Sequence, residues 1–404
     1  MITALTIKNL KSFVDSGSLY FSSVNLLTGM NGRGKSTVLQ TLLLLAQSYD
    51  QEKGMSKIML NGRFVNLGSY EDLLHRGSTS KSISVDIHTD DEVDNEIYLE
   101  LERDKESNRQ LTICELKVNG KSKMESVVSQ QFITSEDGEL ITAEDGDPIV
   151  AEIEGKQLGS TSDVIGLQQF KNIIFISADR EGGKNVKRIA DEWNPSQGVG
   201  IHGQYVMNML EYADQAQRDQ VNYWLNRVLD GGSVSTSVDK MRNEIALYID
   251  PAGTDKGFKP SNVGFGYSYI LSIIVAIVMA DKGTKLFLEN PEAHLHPSAQ
   301  AKLTAAIVEM TKEKNMQVFI ESHSDHVLHG LQLAIYRKTI SQKGLSVLFF
   351  SFENDKPNQT VVNQLTVTGD GHIEQPPYGF FDQAEQDLST LIGLDGIDML
   401  FEGE

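Results

Sequence analysis

The chain has 404 residues, a formal net charge of −20, 40% hydrophobic and 23% charged residues, and a single cysteine. That is the composition of a globular protein long enough for two to three ordinary domains and a sizeable core. It excludes an intrachain disulfide and a cysteine-based zinc site, and the negative field opposes broad adhesion to nucleic acid or anionic membrane.

In chain order, the opening residues "MITALTIKNLKSF" lack the basic-then-apolar pattern of a secretory signal, and with one cysteine they predict a cytoplasmic protein. "ITALTIKNL" and "GSLYFSSVNLLTG" read as two short strands joined through a loop. Next comes Gly29-Met30-Asn31-Gly32-Arg33-Gly34-Lys35-Ser36, which fits G-x-x-x-x-G-K-[ST], between an apolar strand and a helix with apolar residues at helical spacing. Glycines there let the backbone amides turn inward, and the helix N-terminus adds a positive dipole end for phosphate oxygens. Asn31 to Thr37 (Asn31, Gly32, Arg33, Gly34, Lys35, Ser36, Thr37) are therefore predicted to bind ATP, Lys35 at the β- and γ-phosphates and Ser36 on Mg²⁺.

"LNGRFVNLGSYEDLLHRG" (60–77) is rich in turn residues, and from 81 to 121 a period close to 2 predicts an antiparallel meander. Residues 131–163 are acidic and turn-rich, an excursion from the core. "NIIFISADRE" (172–181) is a buried strand whose Arg180 either contacts nucleotide or partner or lies on the surface, with equal weight. Lys184, Lys187 and Arg188 form a small basic patch, best read as a solvated helix face. Residues 203–232 are helical in pattern. From 262 to 351 strands alternate with helices, which predicts a parallel sheet with helices on its faces. The apolar run Tyr269–Ala280 falls short of the roughly 20 residues a bilayer needs and reads as a buried helix.

Two strand ends carry chemistry. "KLFLENPEAHLHP" (285–297) delivers Glu289 at its carboxyl edge, where ligands gather in open α/β sheets. Glu289 is the candidate Mg²⁺ ligand beside Ser36. The residue after it is Asn290, where the usual acidic pair has a glutamate that polarises water; an amide cannot act as a base. Turnover should then be slow unless Glu292 substitutes. "MQVFIESHSDHVLHG" (316–330) ends in His323, placed to hydrogen-bond a γ-phosphate, though a helix-capping polar loop is the plainer reading. A zinc or manganese site of His294, His296, His323 and His326 is a minor alternative without firm ligand spacing.

The phosphate loop, "ENPEAHLHP" and "ESHSD", in this order, resemble the ABC-type ATPases of the RecF/SMC/OLD group. With "LNG", "DLLH", "NVGFGYSYIL" (262–271) and "PPYGFFDQ" (376–383), the chain is similar to predicted ATPases with a C-terminal domain of unknown function found in bacterial defence islands. The resemblance implies an α/β ABC-type head: a mostly parallel sheet flanked by helices, an antiparallel β subdomain and a helical subdomain. The boundaries expected are an N-terminal lobe 1–185, a helical subdomain 186–262, a C-terminal lobe 263–351 and a tail 352–404. It also implies a homodimer, open to higher oligomers, with ATP at the interface. Gly264, Gly266 and Ser268 would press on the partner's γ-phosphate in place of Leu-Ser-Gly-Gly, His323 would be the switch histidine, and Gln47 or the 60–76 loop the γ-phosphate sensor. No long coiled coil or appended nuclease domain is visible, so a separate effector protein, such as a nuclease, is expected, in antiphage defence. Direct nucleic-acid binding, as in DNA repair, and a scaffold without turnover are the alternatives; no membrane association is expected.

Overall fold

The computed structural model describes residues 1–49, 54–132, 150–158, 161, 164–189, 193–251, 253, 257–353, 356–377, 379–381, 387–388 and 390–391. By contact density the chain forms two units: Met1–Ser18 with Gln40–Lys171, and Leu19–Leu39 with Asn172–Glu404. This division differs from a boundary at 185. The strand of the phosphate loop pairs with strands from the C-terminal half, and that pairing decides where the loop belongs.

The first unit is built on the expected meander. Strands Ile83–Thr89, Glu96–Arg103 and Gln110–Val118 run antiparallel, with Ile2–Leu10 and Phe13–Asp15 on one side and Lys57–Met59 on the other. Ile83, Val85 and Ile87 alternate with half-exposed residues, so one face is core and the other wet. A register shift between Glu100 and Leu101 lets Ile113 and Leu116 both be buried although three apart. Strands Met124–Phe132 and Val150–Leu158 pair as a hairpin. The acidic excursion predicted at 131–163 lies largely outside the described residues, so only these strands are located.

The second unit carries the mostly parallel sheet. Its order is Ile173–Ile176, Lys285–Glu289, Gln317–Glu321, Val24–Gly29, Leu345–Glu353 and Lys356–Leu365; only the last is antiparallel to its neighbour. Strands covered on both faces need continuous apolar runs, and "VNLLT" and "QVFIE" are buried throughout. Helix Pro297–Glu313 connects neighbouring strands of this sheet, and helix Asp325–Tyr336 crosses over from Gln317–Glu321 past the loop strand Val24–Gly29 to Leu345–Glu353. Helix Phe265–Met279 is buried at every position from Ile270 to Val278, which accounts for an apolar run with no polar face. No helix among the described residues is long and apolar enough to cross a membrane.

The stretch 186–262 holds helices Val206–Tyr212 and Gln215–Leu229, yet it is not purely helical. Strands Val186–Arg188, Ser233–Asp239 and Glu244–Asp250 form a small antiparallel sheet there. The alternation in "EIALYID", with Ile245, Leu247 and Ile249 buried, is the strand signal. Lys187 and Arg188 thus sit on a strand rather than a helix face.

Candidate functional site

Because the sheet is parallel, the carboxyl ends of its strands open at one edge, and the chain turns there from strand into loop. At the end of Val24–Gly29 the loop turns through Gly29, Gly32 and Gly34, all at positive φ. Gly29 is required on a second count: a Cβ there would lie 2.2 Å from the carbonyl oxygen of Phe350 on the neighbouring strand. Helix Lys35–Ser48 starts directly after Gly34. Lys35 is buried, and its Nζ donates to the carbonyls of Gly29 (3.0 Å) and Met30 (2.8 Å). Burial pulls the lysine pKa down, with Glu321 opposing. Asn31 and Gly32 are exposed, Thr37 is buried, and the Arg33 guanidinium stacks 3.4 Å above the ring centroid of Phe352.

The sheet order puts Gln317–Glu321 between the loop strand and the strand of Glu289. Ser36 Oγ accordingly donates to Glu321 Oε1, at 2.8 Å, and not to Glu289. Glu289 stands beside Glu321 in register, and its Oε2 accepts from the amide of Ala178, on the far side from the loop. One strand thus separates the two expected metal-site residues, Ser36 and Glu289. Glu321 is absent from the sequence-predicted residues, although a carboxylate closing an apolar strand two residues before His323 is a signal.

The acidic turn is held by Arg180, 3% exposed, so a surface role does not describe it. Its Nη1 donates to the carbonyls of Ser177 (3.2 Å) and Glu289 (3.0 Å), its Nη2 to that of Asn290 (2.6 Å). Asn290 takes φ 42° and donates its amide to the Glu321 carbonyl at 2.8 Å. Glu292 Oε1 accepts from Ser322 Oγ at 2.7 Å and from the amide of His323 at 3.4 Å. Burial raises the carboxyl groups of Glu289, Glu292 and Glu321 above the usual carboxylate range. His323 is lowered by burial and by Lys35, with a contact to the Gly29 backbone opposing. The loop, three glutamates and the histidine therefore share one strand edge.

Several enclosed polar atoms at this edge have no partner: Glu292 Oε2, Glu321 Oε2, Asn290 Oδ1, Arg180 Nε and Arg33 Nε. Orphaned carboxylate oxygens beside the Ser36 hydroxyl are the oxygen donors a magnesium ion takes, so these residues fit one.

Other predicted residues serve differently. Gly264 is exposed as the N-cap of helix Phe265–Met279, while Gly266 packs on the acidic turn, its Cβ position 3.2 Å from Leu295. Ser268 faces inward: its Oγ is enclosed and unpartnered, because it lies on the buried side of the helix's first turn. The exposed hydroxyl of this stretch is Ser261. Gln47 spends its amide on the 60–68 loop, donating to the Met59 carbonyl (2.7 Å) and accepting from the amides of Phe64 and Val65. The four-histidine metal cluster does not form: His294 packs on Tyr269 and His296 caps helix Pro297–Glu313. Among the described residues, the groups that do converge are Asp325, His326 and His329, and Asp86, His88 and Glu96.

Comparison with known proteins agrees with this geometry. A family described as "AAA ATPase domain" matches residues 1–328, and one described as "Protein of unknown function (DUF3696)" matches residues 340–391. No curated protein matches the sequence. Among solved structures, an SMC head bound to the C-terminal winged-helix domain of ScpA is 14% identical, with 90% of this chain and 97% of that one covered at a TM-score of 0.50. An SMC head with an extended coiled coil bound to the C-terminal domain of ScpA, from Pyrococcus furiosus, is 12% identical, with 96% and 99% covered at 0.49. At such identities the likeness concerns the fold: the mixed α/β architecture of an SMC-type ATPase head.

Proposed function

We propose, from the premise that this chain belongs to the AAA ATPase domain family, that it is a nucleotide-operated switch whose slow ATP hydrolysis resets a separate effector. ATP binding and hydrolysis in general follow from the family; the roles of individual residues and the biological setting are the proposal. The observation that carries it is the convergence of Lys35 and Ser36 with Glu289, Glu292 and Glu321 at one sheet edge, with carboxylate oxygens left unpartnered.

In this reading the amides of Asn31 to Thr37 cradle the phosphates, and Lys35 leaves the Gly29 and Met30 carbonyls for phosphate oxygens. Ser36 with the buried carboxylates would hold Mg²⁺, which neutralises phosphate charge. Water attacks the γ-phosphorus, the bond to the β–γ bridging oxygen breaks, and ADP and phosphate leave. Asn290 cannot take the proton from that water, so Glu292 is the base, its carboxylate oriented by Ser322 and the His323 amide. His323 reports the γ-phosphate to helix Asp325–Tyr336, which Ser324 caps two residues beyond Ser322.

Closure by a second chain is supported by the exposed turn 261–265, where a Cβ at Gly264 would stand in open space and Phe265 is 65% exposed. Since Ser268 faces inward, the backbone amides from Gly264 and the Ser261 hydroxyl would make the γ-phosphate contact. The SMC head at a TM-score of 0.50 is seen with a bound partner protein, which supports an effector docked on a head of this fold. Antiphage defence, in a cytoplasmic setting, rests on the sequence resemblance.

Two variants test this reading. Lys35→Ala should abolish ATP binding and ATP-dependent dimerisation, read by equilibrium dialysis and light scattering; full retention of both would overturn the switch. Asn290→Glu adds a second candidate base, and phosphate release should rise on the order of tenfold or more. An unchanged rate would mean that Glu292 alone sets turnover.

A further inference from the structure

A phosphate-loop serine and one acid form a weak metal site, and the cation then arrives with the nucleotide. This chain differs at the strand between. Glu321 is 7% exposed, accepts from Ser36 at 2.8 Å through Oε1, and leaves Oε2 enclosed without any partner. Glu289 is its neighbour in register, and Glu292 has a second enclosed, unpartnered oxygen. Strand spacing separates the candidates: the Glu321 strand adjoins the loop strand, whereas the Glu289 strand lies two spacings away, roughly 10 Å.

Among the described residues, the nearby cations act on these carboxylates only from a distance, without a direct ion pair. Lys35 donates to two loop carbonyls, and the guanidinium NH₂ groups of Arg180 donate to three carbonyls. Buried carboxylates are retained when they are paired or bind metal. Their oxygens, together with the serine hydroxyl, are the hard donors a magnesium or manganese ion takes.

We propose that Glu321, on the strand between the phosphate loop and Glu289, is the principal carboxylate ligand of the site cation, and that Ser36, Glu321 and Glu289 load that cation without nucleotide. The proposal rests on the ATP-site reading above and adds an order to it: metal first, then nucleotide. Glu292 is left free of the cation to serve as base.

Manganese replaces magnesium as the probe, because the paramagnetic signal of free Mn²⁺ disappears on binding. Full-length protein without nucleotide should take up one Mn²⁺ per chain. Glu321→Gln should weaken that binding on the order of tenfold or more, Glu289→Gln less, and Glu321→Asp should restore part of it. Thermal melts in chelator identify any variant that fails to fold, and the Asp variant, which keeps the charge, then decides. Mn²⁺ uptake by wild type only in the presence of ATP, or uptake indifferent to Glu321→Gln, would overturn the proposal. A parallel titration of a fluorescent ATP analogue with Mg²⁺ present, with Lys35→Ala as control, separates the two readings. Lost Mn²⁺ binding with intact nucleotide binding removes the metal-first order alone; absent nucleotide binding with Mn²⁺ retained removes the switch alone.

Discussion

Arg180 shows how a single side chain can hold a turn that no local signal holds. Its guanidinium serves three carbonyls, and its face lies 5.2 Å over the ring of Tyr269. Burial draws its pKa down to about 10, so it remains a cation at neutral pH. Asn290 at positive φ is fixed largely by this clamp and by the Glu321 carbonyl. Arg180→Met should therefore destabilise the fold by about 3 kcal/mol, since buried carbonyls lose charged donors. It should also lower kcat more than KM, because Glu292 is carried on the same turn; urea denaturation and steady-state kinetics check both. The phosphate loop was legible because its residues are contiguous and each has a backbone or charge reason to be there. Glu321 and Arg180 were not, because their roles come from which strands lie side by side. "FIESHS" and "SADRE" do not contain that information.

At the scale of elements, the 60–77 loop is held by hydrogen bonds within itself and to Gln47. Asn61 and Gly68 exchange two hydrogen bonds, of 2.8 and 3.0 Å, and Asp72 accepts from Ser69 at the start of the short helix Tyr70–Leu73. Gln47 then secures Met59, Phe64 and Val65, and a Cβ at Gly62 would crowd the Gln47 amide at 3.0 Å. The resemblance implies a γ-phosphate sensor in Gln47 or the 60–76 loop; the hydrogen bonds of Gln47 latch this loop within its own unit. Gln47→Ala should cost about 2 kcal/mol, leaving two amides and a carbonyl unsatisfied. Amide exchange at Phe64 and Val65 should accelerate while ATP binding is unchanged; lost nucleotide affinity would restore the sensor role. The meander and the apolar helix Phe265–Met279 were readable from period and length alone. The small sheet of 186–250 was hidden because its strands flank two strongly periodic helices, Val206–Tyr212 and Gln215–Leu229.

For the whole molecule, a net charge of −20 acts on any second copy. Like-charged protomers repel over the Debye length, about 10 Å at 0.1 M salt. ATP-dependent self-association should thus tighten as salt rises from 0.05 to 0.3 M (about twofold shorter screening length), by analytical ultracentrifugation; weakening with salt would mean that local ion pairs dominate the interface. The sheet order carries another consequence. The phosphate-loop strand Val24–Gly29 is braced on both sides, by Gln317–Glu321 and by Leu345–Glu353. A ribosome thus completes Lys35 nearly three hundred residues before the strands that brace its loop. Pairings so distant in sequence form late and slowly. The nascent chain carries a nucleotide-binding sequence through most of its synthesis without a nucleotide-binding site, and ATP, when it finally binds, reports that the chain has been finished through residue 350.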